Sequence, residues 1–310
     1  MNQSFDVATP RFAHFPKYLF KTMRPKQWVK NVFVFAGLIF ADDILITNAS
    51  MILRVLAAFV IWCFTASSIY LINDVIDIEK DRDHPKKRYR PLASGHLAPN
   101  VAITATLIFL GIGLPIAWLI SRGFAFILAF YVLMQLAYSF RLKHVVIMDV
   151  FIIAAGFILR TISGAVVLRI TISPWLLICT GLLSLFLALA KRRHELVLLE
   201  AGAGSHRRVL DDYSTELLQE MISIITASTL IAYILYTLNP TNPHIPTKPF
   251  PLMLITVPFV IYGIFRYLYL VYKKDEGGSP EELLLKDAPM LADIVLWGMT
   301  VIAIVYVYRN

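Results

Sequence analysis

The sequence predicts an all-α integral membrane protein, a single polytopic bundle of about nine transmembrane helices across residues 1–310. Three observations predict it. Hydrophobic residues make up 58% of the chain and charged residues only 16%, where a soluble domain carries about a quarter charged residues. The mean hydropathy is +0.67, and the apolar residues fall in runs long enough to cross ~30 Å of hydrocarbon. Lys and Arg gather in every second loop, the signature of a fixed orientation.

The apolar runs lie at roughly 28–47, 51–72, 98–120, 123–140, 145–167, 173–190, 221–238, 250–272 and 289–308. The fourth, which carries Gln135 and Tyr138, and the seventh are the shortest. The third and fourth form a hairpin through Ser121 and Arg122. Residues 1–22 are polar and basic with no apolar core, so a cleavable signal peptide is not expected. Cys63 and Cys179 lie inside apolar runs and read as small buried hydrophobes.

Of the 29 Lys and Arg residues, 21 fall in the N-terminal segment and the loops after helices 2, 4, 6 and 8. The opposite loops and the C-terminus hold Arg122, Arg169, Lys248 and Arg309. This bias places the N-terminus in the cytoplasm and the C-terminus outside, in a cytoplasmic (inner) membrane. It also accounts for the net charge of +8 without a nucleic-acid partner. Two of the cytoplasmic loops, 73–97 and 191–220, are long, and long connections in a compact domain are functional or disordered. Their helical patterns and few Gly/Ser runs mark them as ordered, and they are the candidate active-site loops.

The first long loop opens with Asn73, Asp74, Asp77 and Asp81, which share one face of a helix at 100° per residue. Carboxylates stacked this way repel one another, and a divalent cation removes the conflict. Mg²⁺ takes hard oxygen ligands and is held through one or two carboxylates plus substrate phosphates. The face therefore reads as a grip on a Mg²⁺-diphosphate, the alternative being an ordinary solvated helix end. A basic stretch follows: Lys86, Lys87, Arg88 and Arg90, stiffened by Pro85 and Pro91. Arginines there suit phosphate oxygens through paired contacts; topology-setting charge is the other reading.

Asn73-Asp74-x-x-Asp77-x-x-x-Asp81 followed by Arg90-Pro91-Leu92-x-x-Gly95 resembles the UbiA superfamily of intramembrane prenyltransferases. The resemblance implies a nine-helix fold with a site facing the cytoplasm. Aromatic prenyltransferases of that superfamily carry a second Asp-rich motif after helix 6. Here that stretch is Lys191-Arg192-Arg193-His194-Glu195, basic rather than acidic, which suits direct phosphate binding.

Arg24-Pro25-Lys26-Gln27-Trp28-Val29-Lys30-Asn31, the loop 77–95 and the 191–196 segment together resemble the decaprenyl-phosphate phosphoribosyltransferase branch. That resemblance implies a Mg²⁺-dependent pentosyltransferase. It would move a 5-phosphoribosyl group from PRPP to a polyprenyl phosphate drawn from the membrane lipids, in cell-envelope polysaccharide synthesis. On it, Asp74, Asp77 and Lys30 are catalytic, and Asp74, Asp77 and Asp81 hold the metal. Asn73, Arg24, Lys26, Gln27, Asn31, Lys87, Arg88, Arg90, Lys191, Arg192, Glu195 and Tyr213 bind substrate. Whether the 191–193 cluster takes the lipid phosphate or the sugar 5-phosphate stays open. Two rival readings stand beside this one: an aromatic polyprenyltransferase, and a non-enzymatic lipid transporter or scaffold. Trp28 reads as an interface anchor, and Lys30 alternatively as a residue reaching for the head groups.

Helix 5 adds Asp149 and Arg160, eleven residues apart and on one face. Neither is stable unpaired in hydrocarbon. A structural ion pair with other helices and a ligand role are both open.

Overall fold

A computed structural model of the chain describes residues 15–40, 48–84, 87–200, 208–238, 250–274, 280, 283 and 286–307. Lys86, residues 1–14 of the N-terminal segment and 201–207 of the second long loop lie outside them. Among the described residues every regular element is helical. A short amphipathic helix, α1 (Phe15–Thr22), leads into a 3₁₀ run (Pro25–Phe35) and α2 (Ala36–Phe40). Then come α3 (Ala49–Ile76), α4 (Ile78–Asp83), α5 (Pro99–Ile120), α6 (Arg122–Phe140), α7 (Met148–Leu168) and α8 (Pro174–Glu200). Last are α9 (Thr215–Leu238), α10 (Val257–Lys273) and α11 (Ala288–Val307).

Eight of these helices are long and apolar enough to cross a bilayer. They correspond to eight of the nine expected runs. The remaining run, 28–47, is a 3₁₀ stretch and a short α-helix as far as it is described, and 41–47 lie outside the described residues.

Local chemistry sets the ends. Asn48 caps α3 by accepting from the backbone N–H of Ser50 and Met51. Pro99 and Pro174 open α5 and α8, where a missing N–H costs nothing. Pro115 sits within α5, a position that membrane helices tolerate.

The bundle has two centres. α3 and α7 are its most buried spans; with the 3₁₀ run, α5 and α6 they enclose a core built on Val34, Trp62, Phe124, Leu128 and Val167. The second core joins α7 to α8, α9 and α10 around Phe186, Leu189, Leu218 and Tyr267. α5 and α6 turn Leu107, Ile112, Leu119, Phe126, Phe130 and Leu133 outward, a surface suited to lipid.

The 3₁₀ run lies tightly on α7. A Cβ on Gly164 would stand 2.0 Å from the Val34 carbonyl oxygen, so only glycine admits this crossing. Trp62 Nε1 donates to Ser163 Oγ at 2.7 Å in the same layer.

Candidate active site at the end of the third helix

Asp74 sits in the last turn of α3 with only 3% of its side chain exposed. Arg24 Nη2 donates to its Oδ1 at 2.5 Å. Arg90 Nη1 reaches the same oxygen at 3.2 Å and Asp81 Oδ2 at 2.7 Å. One guanidinium nitrogen thus bridges two carboxylates that are seven residues apart.

The backbone fixes both arginines. Arg24 takes a left-handed conformation (φ 55°, ψ 62°) between α1 and Pro25, which costs ~1–3 kcal/mol for a residue with a Cβ. Its guanidinium lies 4.8 Å over the Tyr70 ring as it reaches Asp74. Arg90 opens a loop sealed by its own apolar residues: Leu92 and Leu97 pack with Leu71, Ala102 and Ala105. Leu97 N–H donates to Pro91 O at 2.9 Å, and Gly95 takes the turn at φ +77°. The Pro-Leu-x-x-Gly pattern is therefore the scaffold that presents Arg90.

Asp77 falls where α3 gives way to α4, and it turns to Lys143 Nζ at 3.5 Å. Asn73 Oδ1 accepts from Ser139 Oγ on α6 at 2.5 Å. Lys26, Gln27 and Lys30 lie on the 3₁₀ run that follows Arg24. Lys87 gives its backbone N–H to His84 Nδ1; burial and the neighbouring Lys87 hold His84 below the usual imidazole range. Arg88 is exposed, donating to Tyr89 Oη at 2.9 Å rather than to the acidic pair.

A second cluster stands at the adjoining ends of α7 and α8. Asp149 is fully buried. It accepts from Arg192 Nε at 2.5 Å and from Tyr213 Oη at 2.8 Å. Arg192 also bonds Glu195, one turn along α8. Tyr213 Oη accepts in turn from the Ile147 N–H at 2.7 Å. Burial pushes the Tyr213 phenol up, so it stays a donor to Asp149. Arg193 points elsewhere, 4.0 Å over the Tyr272 ring. Lys191 is the preceding residue of α8. The turn between α6 and α7 joins the two clusters, with Lys143 facing Asp77 and Ile147 facing Tyr213.

Arg160 and Asp149 do not pair. Arg160 donates Nε to Asn31 Oδ1 at 2.7 Å, Nη1 to Gly156 O at 2.7 Å and Nη2 to Tyr131 Oη at 3.1 Å. Its charge lies over Trp62 and Tyr131 at 4.7 and 4.9 Å. Asn31 thereby ties the 3₁₀ run to α7, and its Nδ2 donates to Cys63 Sγ.

Sequence reasoning did not find Ser139, Lys143 or Tyr70 as neighbours of the acidic motif. Lys143 entered only as a topological charge, and a lone Ser or Tyr in an apolar helix carries no signal of its partner.

Among the described residues no three acidic, His or Cys side chains converge into a ready-made metal cage. The donor set nevertheless suits Mg²⁺. Asp74 and Asp81 offer two buried carboxylates to one shared cation position, which Arg90 fills, and Mg²⁺ is held through one or two carboxylates with phosphates completing the shell.

Three comparisons bear on this geometry. The model of the UbiA prenyltransferase family matches residues 31–286. The chain is 34% identical to a decaprenyl-phosphate phosphoribosyltransferase of Corynebacterium glutamicum, over 93% of this chain and 87% of that protein. It is 33% identical to the protein of that name from Mycobacterium tuberculosis, over 96% and 97%. The fold is similar to that of a UbiA homolog from Archaeoglobus fulgidus bound to DMAPP and Mg²⁺. The TM-score is 0.69 at 17% identity, covering 94% of this chain and 99% of that one.

Proposed function

The chain belongs to the UbiA prenyltransferase family, and from that premise we propose that it transfers 5-phosphoribosyl from PRPP to a polyprenyl phosphate, releasing diphosphate. The observation that carries this reading is the buried Asp74–Asp81 pair bridged by Arg90, with Arg24 also on Asp74. That arrangement suits a diphosphate leaving group. The names of the relatives support a phosphoribosyl group as the moiety transferred and a polyprenyl phosphate as its acceptor; PRPP is the donor that this reading adds.

In the reaction, a lipid phosphate oxygen forms a bond to the anomeric carbon. The bond from that carbon to the diphosphate oxygen breaks, and its electron pair leaves with the diphosphate. The nucleophile is already an anion, so no general base is required. Asp74 and Asp81, with Asp77, would hold Mg²⁺, which supplies charge neutralisation of the leaving group when bound. Arg24 and Arg90, both on Asp74, would take diphosphate oxygens in paired contacts. Lys30, on the 3₁₀ run, and Lys191, on α8, would take the remaining phosphates. The Arg192–Asp149–Tyr213 cluster holds the ends of α7 and α8 in register. Positioning and electrostatic stabilisation supply most of the acceleration.

The absence of an acidic motif at 191–195 favours this donor over a prenyl diphosphate. The experiment offers the purified protein radiolabelled PRPP with a polyprenyl phosphate, and separately a labelled prenyl diphosphate with an aromatic acceptor. Label from PRPP passes to lipid in the first mixture, in a Mg²⁺-dependent manner. Transfer in the second mixture alone overturns the reading.

A further inference from the structure

Asp74 and Asp81 are buried to 3% and 5% side-chain exposure, whereas the side chains of Arg24 and Arg90 are 31% and 30% exposed. The carboxylates are therefore the fixed part of the site, and the guanidiniums reach them from its open side. Two positive groups meet two negative ones, so the set carries no net charge as it stands. A bare Mg²⁺ would have to enter beside two guanidiniums, adding two positive charges to a largely desolvated pocket. Uncompensated charge in such a place is costly. A diphosphate changes this balance. Its oxygens accept the guanidiniums, and its negative charge offsets the metal.

We propose that Arg90, assisted by Arg24, determines which ligands the site accepts. Its guanidinium stands between Asp74 and Asp81 and yields that position to Mg²⁺ only when a diphosphate arrives to take the arginine in exchange. Free Mg²⁺ is thereby excluded, and metal and diphosphate bind as a coupled pair. This rests on the diphosphate site proposed above and adds to it an order of events. Arg90 is suited to the exchange because its backbone is held independently of its side chain. Its carbonyl accepts from Ser94 Oγ at 2.8 Å and its N–H donates to Lys87 O at 2.8 Å.

The test measures Mn²⁺ binding by the full chain in detergent, by loss of the free-ion electron paramagnetic resonance signal, with no phosphate present. Wild type is expected to bind weakly. Arg90→Gln is expected to bind Mn²⁺ at least about tenfold tighter, within the ordinary span of coupling between two ligands. Arg90→Lys, which keeps the charge, stays close to wild type. In Asp74→Asn/Arg90→Gln the gain disappears. Equal or weaker binding by Arg90→Gln overturns the proposal, as does a gain that survives Asp74→Asn. Thermal unfolding checks that each variant is folded, and Arg24→Gln, expected to bind Mn²⁺ more tightly than wild type, decides the matter if Arg90→Gln is not. The assay contains no donor. A protein that uses a different diphosphate would pass it while failing the PRPP transfer assay, so the two readings fail separately.

Discussion

Asp149 lies in the first turn of α7, where a carboxylate needs partners of its own. It is fully buried, and its charge is met by Arg192 Nε and the Tyr213 hydroxyl. Removing one partner of such a pair leaves a bare charge and costs ~3–5 kcal/mol. Arg192→Gln is therefore expected to lower the unfolding temperature sharply. Asp149→Asn/Arg192→Gln should recover part of that loss, read by thermal unfolding in detergent. On the proposed function the acidic motif should respond differently, because its charges would meet the metal and the leaving group. Asp74→Asn should reduce turnover by about 10²–10³-fold, the scale of losing one preorganised electrostatic contact. Asp77→Asn should likewise abolish turnover while lipid binding is largely kept. Arg88→Gln should stay within a few-fold of wild type, since Arg88 is exposed and engaged with Tyr89. Steady-state rates with labelled PRPP check all three.

Among the elements, the 3₁₀ run Pro25–Phe35 depends most on its neighbours. It has no long α-helical ladder of its own. It is held by the Gly164 crossing, by Asn31 on Arg160 and by Trp28 Nε1 on Ser67 Oγ at 3.1 Å. It carries Lys30 and follows Arg24, so its seat sets the geometry of both. Gly164→Ala would drive a Cβ into the Val34 carbonyl, and overpacking of this kind costs ~1–3 kcal/mol. The expected result is a higher KM for the donor together with lower stability, whereas a purely local defect would lower stability alone. The helices themselves were largely readable. The apolar runs from position 51 onward have the length of spans and coincide with eight long helices among the described residues. The 3₁₀ character of the first run was not readable, because an apolar run specifies burial and not the hydrogen-bond pitch.

For the molecule as a whole, lipid is already apolar, so a polyprenyl tail gains little by entering a groove in the bundle. Head-group chemistry should dominate recognition, and shortened polyprenyl phosphates should be turned over in detergent; activity confined to one chain length would contradict this. The orientation drawn from the charge bias has its own test. A single reactive cysteine at position 83, beside the acidic motif, in a variant lacking Cys63 and Cys179, should be labelled by an impermeant maleimide in inverted but not right-side-out vesicles. The sequence by itself determined the all-helical membrane class, the positions of eight spans and the acidic motif on which the proposed metal–diphosphate site rests. Those follow from hydropathy and from the spacing of Asn73, Asp74, Asp77 and Asp81, which are local properties of the chain. Only the tertiary structure decided the partners: Arg90 between Asp74 and Asp81, Lys143 on Asp77, Arg192 on Asp149, and Arg160 on Asn31. Pairing of charges across a bundle depends on helix rotation and crossing distance. In the one-dimensional record Asp149 and Arg160 share a face of α7, yet each finds its partner on a different neighbouring element, because a desolvated charge takes whichever counter-group the packed helices bring within hydrogen-bond reach.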